Sequence, residues 1–79
     1  MSAVVTVFMR PGCHLCDEAE ALLRPLAAAA AADLELIDIE RDDELHRRYL
    51  ELIPVIEFDG REVARLDEFR DGRLDNLFA

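Results

Sequence analysis

The stretch VVTVFMRPGCHLC, residues 4–16, joins a predicted strand to a predicted helix through a short turn. Residues 4–9 are β-branched or apolar almost throughout, which is typical of a strand buried on both faces. The Arg-Pro-Gly sequence of residues 10–12 ends that strand. Cys13 and Cys16 are the only cysteines of the chain. They therefore lie where a strand gives way to a helix.

The helix that begins at about Cys13 is predicted to continue to Ala32. Asp17, Glu18 and the other acids of its first two turns favour the helix dipole. Pro25 interrupts the pattern, so we expect it to kink the helix or to split it into two pieces. Apolar side chains recur at helical spacing along one face, at Leu15, Ala19, Leu22, Leu23, Leu26 and Ala30.

Three further strands are predicted, over residues 34–39, 55–58 and 62–66. The Asp-Gly pair at residues 59–60 predicts a tight hairpin turn between the last two strands. The first two strands are joined by a helix, so they should be parallel with a right-handed crossover.

Two more helical segments follow from the pattern. A short helix after residue 40, capped by Asp42 or Asp43, is expected to end at Pro54. One face of that helix carries Leu45, Tyr49 and Leu52 or Ile53. The tail, residues 67–78, is weakly helical. Its candidate core residues are Phe69, Leu74, Leu77 and Phe78. The order β-α-β-α-β-β-α predicts an α/β fold, with a four-stranded mixed sheet flanked by helices on both faces.

Composition limits the kind of protein that this chain can be. Its 79 residues predict one domain over residues 1–79, and the 52% apolar fraction is enough for a core. The net charge of −9 argues against partnership with nucleic acid or an anionic membrane surface. No apolar run approaches the roughly 18 residues of a membrane span, and no export signal is recognised at the start. The sequence therefore predicts a cytoplasmic protein, and we expect a monomer.

The cysteine spacing suits reversible disulfide chemistry. Side chains three apart on a helix have Cβ atoms about 5–6 Å apart, and a disulfide needs Cα atoms about 4.4–6.8 Å apart. Cys13 is the candidate nucleophile, because free N–H groups at a helix start stabilise a thiolate. Arg10 and protonated His14 would help, whereas Asp17 and its acidic neighbour oppose ionisation. Cys16, further into the helix, is the candidate resolving thiol.

Two other interpretations of the cysteines stay open. As a staple, the pair would close a loop of four residues, which the chain-entropy model values at only about 2 kcal/mol. As a metal site, it would need a set such as Cys13, His14, Cys16 and His46. His14 would point around the helix away from Cys13, and His46 is more simply a polar helix residue.

The whole chain, over about residues 3–78, resembles the glutaredoxin-like family of the thioredoxin superfamily, in particular small bacterial members with a CHLC motif. The resemblance rests on CHLCDEAEALL at residues 13–23, LIPVIEFDG at 52–60 and ARLDEF at 64–69. It implies a thioredoxin fold with catalytic Cys13 and Cys16. It also implies a cis peptide bond at Ile53-Pro54 that faces the cysteines, where the backbone of Ile53 would bind the substrate.

The chain departs from familiar dithiol glutaredoxins near the expected site. His14 and Leu15 stand where those proteins have Pro-Tyr, and no Gly-Gly pair precedes Asp67. Asp67 is a candidate glutathione contact, although capping of the last helix is the preferred interpretation. Arg47 or Arg48 is a candidate partner for a glutathione carboxylate, with a solvated helix face preferred.

The sequence thus predicts a thiol–disulfide oxidoreductase that acts on protein or glutathione mixed disulfides. Cys13 and Cys16 are the catalytic pair, and Arg10, His14, Ile53 and Pro54 are expected to bind substrate. No bound cofactor is required, and glutathione is a candidate cosubstrate. The expected partner is a disulfide-containing protein or a glutathione mixed disulfide. The alternatives are an adaptor module with non-catalytic cysteines and a thiol metal carrier.

Overall fold

The computed structural model describes residues 3–79 and contains one mixed sheet of four strands. The strands are β1 (Val4–Met9), β2 (Asp33–Asp38), β3 (Val55–Phe58) and β4 (Arg61–Arg65). Their order across the sheet is β2-β1-β3-β4. Strands β1 and β2 are parallel, and the β1–β3 and β3–β4 pairs are antiparallel. The predicted α/β arrangement of the sheet is confirmed, with β2 and β4 each beginning one residue earlier than expected.

Two α-helices pack on the sheet. Helix α1 (His14–Ala29) connects the parallel strands, and α2 (Asp43–Tyr49) lies between β2 and β3. Asp42 is the predicted cap of α2, and its carboxylate accepts bonds from the N–H groups of Glu44 and Leu45 at 2.9 and 3.1 Å. A short 3₁₀ helix, Ile39–Arg41, precedes that cap.

Alternating side chains of β1 supply two separate parts of the core. Val5 and Val7 join residues of α1 and the C-terminal segment on one face of the sheet, among them Leu23, Phe69 and Leu74. Phe8 lies on the other face in a second cluster. That cluster is completed by Cys16, Ile39, Tyr49, Ile53 and Val55. Helical segments therefore cover both faces of the sheet, as the sequence predicts.

Helix α1 runs unbroken through Pro25, so the predicted kink or split is wrong. Pro25 and Ala21, whose carbonyl loses its usual helical donor, are both exposed, so water can satisfy that carbonyl. The buried stripe differs slightly from the predicted face, since Ala30 is exposed. The stripe consists of Cys16, Ala19, Leu23 and Ala27.

The C-terminal segment is not the α-helix that the sequence predicts. It forms a 3₁₀ helix, Glu68–Asp71, and then a series of turns. Gly72 adopts φ +85°, a left-handed conformation that ends the helical run. The predicted apolar contacts are nevertheless made, because Phe69 and Leu74 are buried and Leu77 and Phe78 pack against them.

The predicted hairpin turn is confirmed at residues 59–60. Phe58 pairs with Arg61, so the loop has two residues, and both have positive φ, +50° for Asp59 and +86° for Gly60. This is the backbone pattern of the tight hairpin turns that Asp-Gly pairs favour. The Asp59 carboxylate also accepts a bond from the Val4 N–H at 2.9 Å, which fixes the turn against the start of β1.

Candidate active site

The two cysteines lie at the carboxyl end of β1, where the chain turns into α1. Cys13 is the N-cap of α1, and its sulfur forms a disulfide with Cys16 across a Cα–Cα distance of 5.2 Å. The Cys13 Sγ also accepts a bond from the Cys16 N–H at 3.1 Å. One sulfur atom therefore serves both as a helix cap and as half of the disulfide.

The two sulfur-bearing residues differ sharply in exposure. Cys16 is only 2% exposed and is enclosed by Phe8, Tyr49 and other members of the second cluster. Cys13 is half-buried and packs against the edge of the same cluster. A reagent or substrate can therefore approach the pair only from the Cys13 side.

The Ile53-Pro54 segment lies beside the cysteine pair. The peptide bond between these residues is cis, as the resemblance implies. Ile53 shares its buried cluster with Cys16, and Pro54 is fully buried. The Ile53 N–H donates to the Tyr49 carbonyl at 3.1 Å. The structure thus brings the two predicted elements of the site, cysteines and proline loop, into one cluster.

Leu66 attaches the end of β4 to this loop. Its N–H donates to the carbonyls of Pro54 and Leu52 at 2.9 and 3.1 Å. Leu66 has φ +55° and therefore occupies a conformation that glycine adopts most easily. Familiar dithiol glutaredoxins carry a Gly-Gly pair at the corresponding place. In this chain the left-handed conformation is present at Leu66, although the residue is not glycine.

Asp67 is exposed and occupies the N-cap position of the Glu68–Asp71 helix. The predicted capping position is therefore confirmed, although the Asp67 side chain makes no capping hydrogen bond. The Glu68 carboxylate instead turns back and accepts from the Arg65 N–H at 2.8 Å. The role of Asp67 as a glutathione contact stays a prediction.

Arg10 and His14 flank Cys13 on the surface. Both are exposed, and the Arg10 carbonyl accepts from the Cys13 N–H at 3.4 Å. Among residues 3–79, Arg10 has no carboxylate partner within ion-pair distance. Asp17 is also exposed, one helical turn after Cys13. Two side chains that can carry positive charge and one acid therefore lie on the accessible side of the pair.

One contact beside the site was not anticipated from the sequence. Arg70 holds the Glu18 carboxylate with two bonds of 2.7 Å, which joins α1 to the C-terminal 3₁₀ helix. The Arg70 guanidinium lowers the pKa of Glu18 below its ordinary value, mainly through these hydrogen bonds. The partners are 52 residues apart, so no local pattern could have indicated the pair.

The candidate metal ligands Cys13, His14, Cys16 and His46 do not form a metal-binding cluster. Within residues 3–79, no group of three or more His, Cys, Asp or Glu side chains is arranged to hold a metal ion. In the same part of the chain, no helix is long and apolar enough to cross a membrane.

Solved structures with the same fold come from several organisms. Protein Ne2328 from Nitrosomonas europaea superposes with a TM-score of 0.78 at 28% identity, covering 100% of this chain and 94% of that one. The germline-specific thioredoxin Deadhead from Drosophila melanogaster gives 0.69 at 26% identity, covering 96% and 77%. A structural-genomics target from X. campestris is 32% identical, with a TM-score of 0.59 and coverage of 86% and 96%. No curated protein sequence matches the chain.

The sheet order, the cysteine pair at the start of α1 and these likenesses define an α/β protein of the thioredoxin fold. Within that class the assignment is narrower, because a family model matches residues 4–76. The chain belongs to the glutaredoxin-like domain family (DUF836) of the thioredoxin superfamily.

Proposed function

We propose that this protein is a thiol–disulfide oxidoreductase that works through Cys13 and Cys16. The observation that carries the proposal is the asymmetry of the pair. Cys13 is accessible and accepts an N–H bond at a helix start, whereas Cys16 is enclosed. The N–H bond and the positive end of the helix dipole favour the thiolate at Cys13, and thiolates are the attacking species in disulfide exchange.

The reaction divides into two exchanges. In the first, the Cys13 thiolate attacks one sulfur of a substrate disulfide, forms a mixed disulfide and releases the other substrate sulfur as a thiolate. That thiolate takes up a proton from water. In the second, the Cys16 thiol loses its proton to solvent, and its thiolate attacks the Cys13 sulfur and releases the remaining substrate thiolate. Two electrons pass from the cysteine pair to the substrate.

An external thiol must return the pair to the dithiol form. Two molecules of glutathione would supply the two electrons and leave as glutathione disulfide. We place the protein in a reducing compartment such as the cytoplasm, where this regeneration is favourable. Arg10 and His14, exposed beside Cys13, are the proposed contacts for an anionic group of the substrate. Asp67 is the proposed contact for glutathione.

The loop before Pro54 is the proposed support for the substrate backbone. Ile53 lies in the same cluster as Cys16, and Cys13 packs against that cluster. The Ile53 N–H already donates to Tyr49. A substrate strand would therefore donate a hydrogen bond to the Ile53 carbonyl, or its own carbonyl would compete with that of Tyr49 for the Ile53 N–H.

The test is a redox titration of the pair by thiol labelling across a series of glutathione buffers. We expect one two-electron transition at about −200 to −300 mV, the range of working cytosolic dithiols. We also expect Cys13→Ser to abolish reduction of a disulfide substrate. Cys16→Ser is the matched control, since it should still attack and should accumulate a mixed disulfide at Cys13. Full disulfide-reductase activity in Cys13→Ser would show that Cys13 is not the nucleophile. Thiols that never pair would leave a structural or metal-binding role for the cysteine segment.

A further inference from the structure

A basic groove lies directly beside the proposed substrate support. It has a volume of about 410 Å³ and runs along the end of α2 and the turn that follows it. Its lining consists of His46, Arg47, Arg48, Leu50, Glu51 and Leu52. Leu52 precedes Ile53 in the chain and packs against the same buried cluster as Cys13. The groove therefore ends at the proposed substrate support.

The basic character of this groove contrasts with the rest of the chain. The protein carries a net charge of −9, yet three consecutive residues here are His, Arg and Arg. Bases at a helix C-terminus commonly offset the helix dipole, and that would be a sufficient reason for their presence. The Arg48 guanidinium, however, lies over the Tyr49 ring, 5.2 Å from its centroid. Within residues 3–79 it has no carboxylate partner, so its charge is available to a ligand.

Arg47 is also weakly engaged. Its pairing with Glu44 spans 3.7 Å between two exposed side chains, and such pairs contribute little. Two exposed positive charges thus line the groove, against one exposed acid, Glu51. Arg48 is additionally held in place by the aromatic ring beneath it, which reduces the entropy lost when it binds an anion.

Exposed apolar side chains border the same region. Leu50, which lines the groove, is 37% exposed, and Leu66 is 39% exposed. Leu66 is hydrogen-bonded to the carbonyls of Leu52 and Pro54, so it also adjoins the proposed support. Two of the three most exposed large apolar residues of the described chain, Leu36 being the third, therefore flank one short loop.

We propose that this groove docks an acidic segment with an apolar side chain, next to the disulfide of a partner protein. The proposal rests on the oxidoreductase function above and specifies its substrate class. Carboxylates of the segment would pair with Arg47 and Arg48, and an apolar side chain would pack on Leu50. Complementary charge of this kind steers encounter and fixes orientation, which suits a transient redox partner.

The test compares two synthetic peptides that carry the same internal disulfide. One has four Glu residues and a Leu beside the disulfide, and the other has Gln in place of each Glu. The reduced protein is mixed with each peptide, and the second-order rate constant of disulfide reduction is measured. We expect the Glu peptide to react about five- to tenfold faster at low salt, and the advantage to shrink as salt screens the exposed charges.

Arg48→Gln should lower the ratio of the two rate constants by about two- to fivefold, the range expected for one exposed charge pair. Arg61→Gln is the matched control, because Arg61 also has no carboxylate partner within residues 3–79. Arg61 lies at the hairpin turn, at the opposite end of the sheet from Cys13. It should leave the ratio unchanged. Arg47→Gln serves as a second variant, since Arg47 is exposed and its removal does not touch the Tyr49 ring.

Two results would overturn the docking proposal while the oxidoreductase function survives. In the first, the Glu and Gln peptides react at equal rates. In the second, Arg48→Gln slows reduction of glutathione disulfide as much as that of the Glu peptide, which would identify glutathione carboxylates as the occupant. Failure of the proposed oxidoreductase function would give a different result. In that case the reduced protein would not react even with hydroxyethyl disulfide, a small uncharged substrate.

Discussion

Cys13 shows how one residue can be placed for chemistry at some cost to local stability. Ser, Thr, Asp and Asn are the preferred N-caps, because their oxygens accept strongly from the first N–H groups of a helix. A sulfur accepts weakly, yet Cys13 holds this position and accepts from the Cys16 N–H. Cys13→Ser would restore a preferred cap and should leave α1 folded. A loss of activity in that variant would therefore report on the thiol itself.

Ala31 has a left-handed backbone conformation, which a residue with a Cβ atom adopts less easily than glycine. It has φ +54° and directly follows Ala30, the C-cap of α1. Its N–H donates to the Ala28 carbonyl and the Ala32 N–H to the Ala27 carbonyl, at 3.2 and 2.8 Å. This is the Schellman pattern, in which glycine is the usual residue at the left-handed position.

We therefore expect Ala31→Gly to stabilise the protein. A left-handed conformation costs an L-residue roughly 1–2 kcal/mol, and glycine would avoid this cost. Glycine is also more flexible in the unfolded chain, which offsets about 0.5–1 kcal/mol of the stabilisation. The net increase in the free energy of unfolding should be about 0.5–1 kcal/mol. It is measured as a higher urea midpoint at an unchanged m-value.

Ala21→Gly is the matched control for this prediction. Ala21 is exposed in the middle of α1, where the same substitution should cost about 1 kcal/mol. The two variants should therefore move the midpoint in opposite directions. A lower midpoint for Ala31→Gly would show that the left-handed residue is not strained.

At the scale of elements, α1 and the C-terminal segment are held together by core packing and by one surface ion pair. Phe69 and Leu74 pack in the cluster that contains Leu23 of α1. Above them, Arg70 binds Glu18 with two parallel bonds. The segment has only a short 3₁₀ helix of its own, so its position depends on these contacts more than on local hydrogen bonds.

We expect Arg70→Gln to raise the pKa of Glu18 toward its ordinary value. The hydrogen bonds from Arg70 lower that pKa in the folded protein. A carboxyl with a lowered folded pKa adds stability above its unfolded pKa of about 4.3, and this stability is lost as pH falls through the folded pKa. The variant should therefore be less stable than the parent near pH 7, and the difference should vanish in acid.

Two measurements check this expectation, an NMR titration of the Glu18 side chain and urea unfolding at several pH values. Arg24→Gln is the control, because Arg24 pairs with Glu20 inside α1 and joins no second element. It should leave the pKa of Glu18 unchanged. An equal stability difference at pH 7 and in acid would assign the effect of Arg70 to packing instead of charge.

At the scale of the whole molecule, acidic residues outnumber basic ones two to one. The chain has 18 acidic residues and nine arginines, with no lysine. Several acids, Glu35 on β2 among them, have no basic partner within residues 3–79. Repulsion among such groups destabilises the compact state and is screened by salt.

The thermal midpoint should accordingly rise when NaCl is added to a low-salt buffer. A gain of about 0.5 kcal/mol corresponds to about 2–4 °C in a domain of this size. Glu35→Gln removes one unpaired exposed charge, so its midpoint should start higher and respond less to salt. A midpoint that falls with salt would mean that the surface ion pairs outweigh the repulsion.

Several features could be predicted from the sequence because their causes are local. The β1 strand follows from a run of β-branched residues, the hairpin from Asp59-Gly60, and the α2 cap from Asp42. The placement of both cysteines between strand and helix follows in the same way. The resemblance supplied what local pattern could not, namely the approach of Ile53 and Pro54 to the cysteines, and the cluster of Cys16 with Ile53 confirms it.

Other features were decided only by the tertiary structure, because they depend on partners far away in the chain. Pro25 stays within α1 since buried side chains on both sides of it, such as Leu23 and Ala27, fix the helix on the sheet. The tail is held by Phe69 and Leu74 despite Gly72 and its weak helical pattern. Burial of Cys16 requires side chains from four elements beyond its own helix: β1, the Ile39–Arg41 helix, α2 and β3. Short-range hydrogen bonds and steric preferences are encoded in neighbouring residues, whereas enclosure and long-range pairing exist only once the chain has folded.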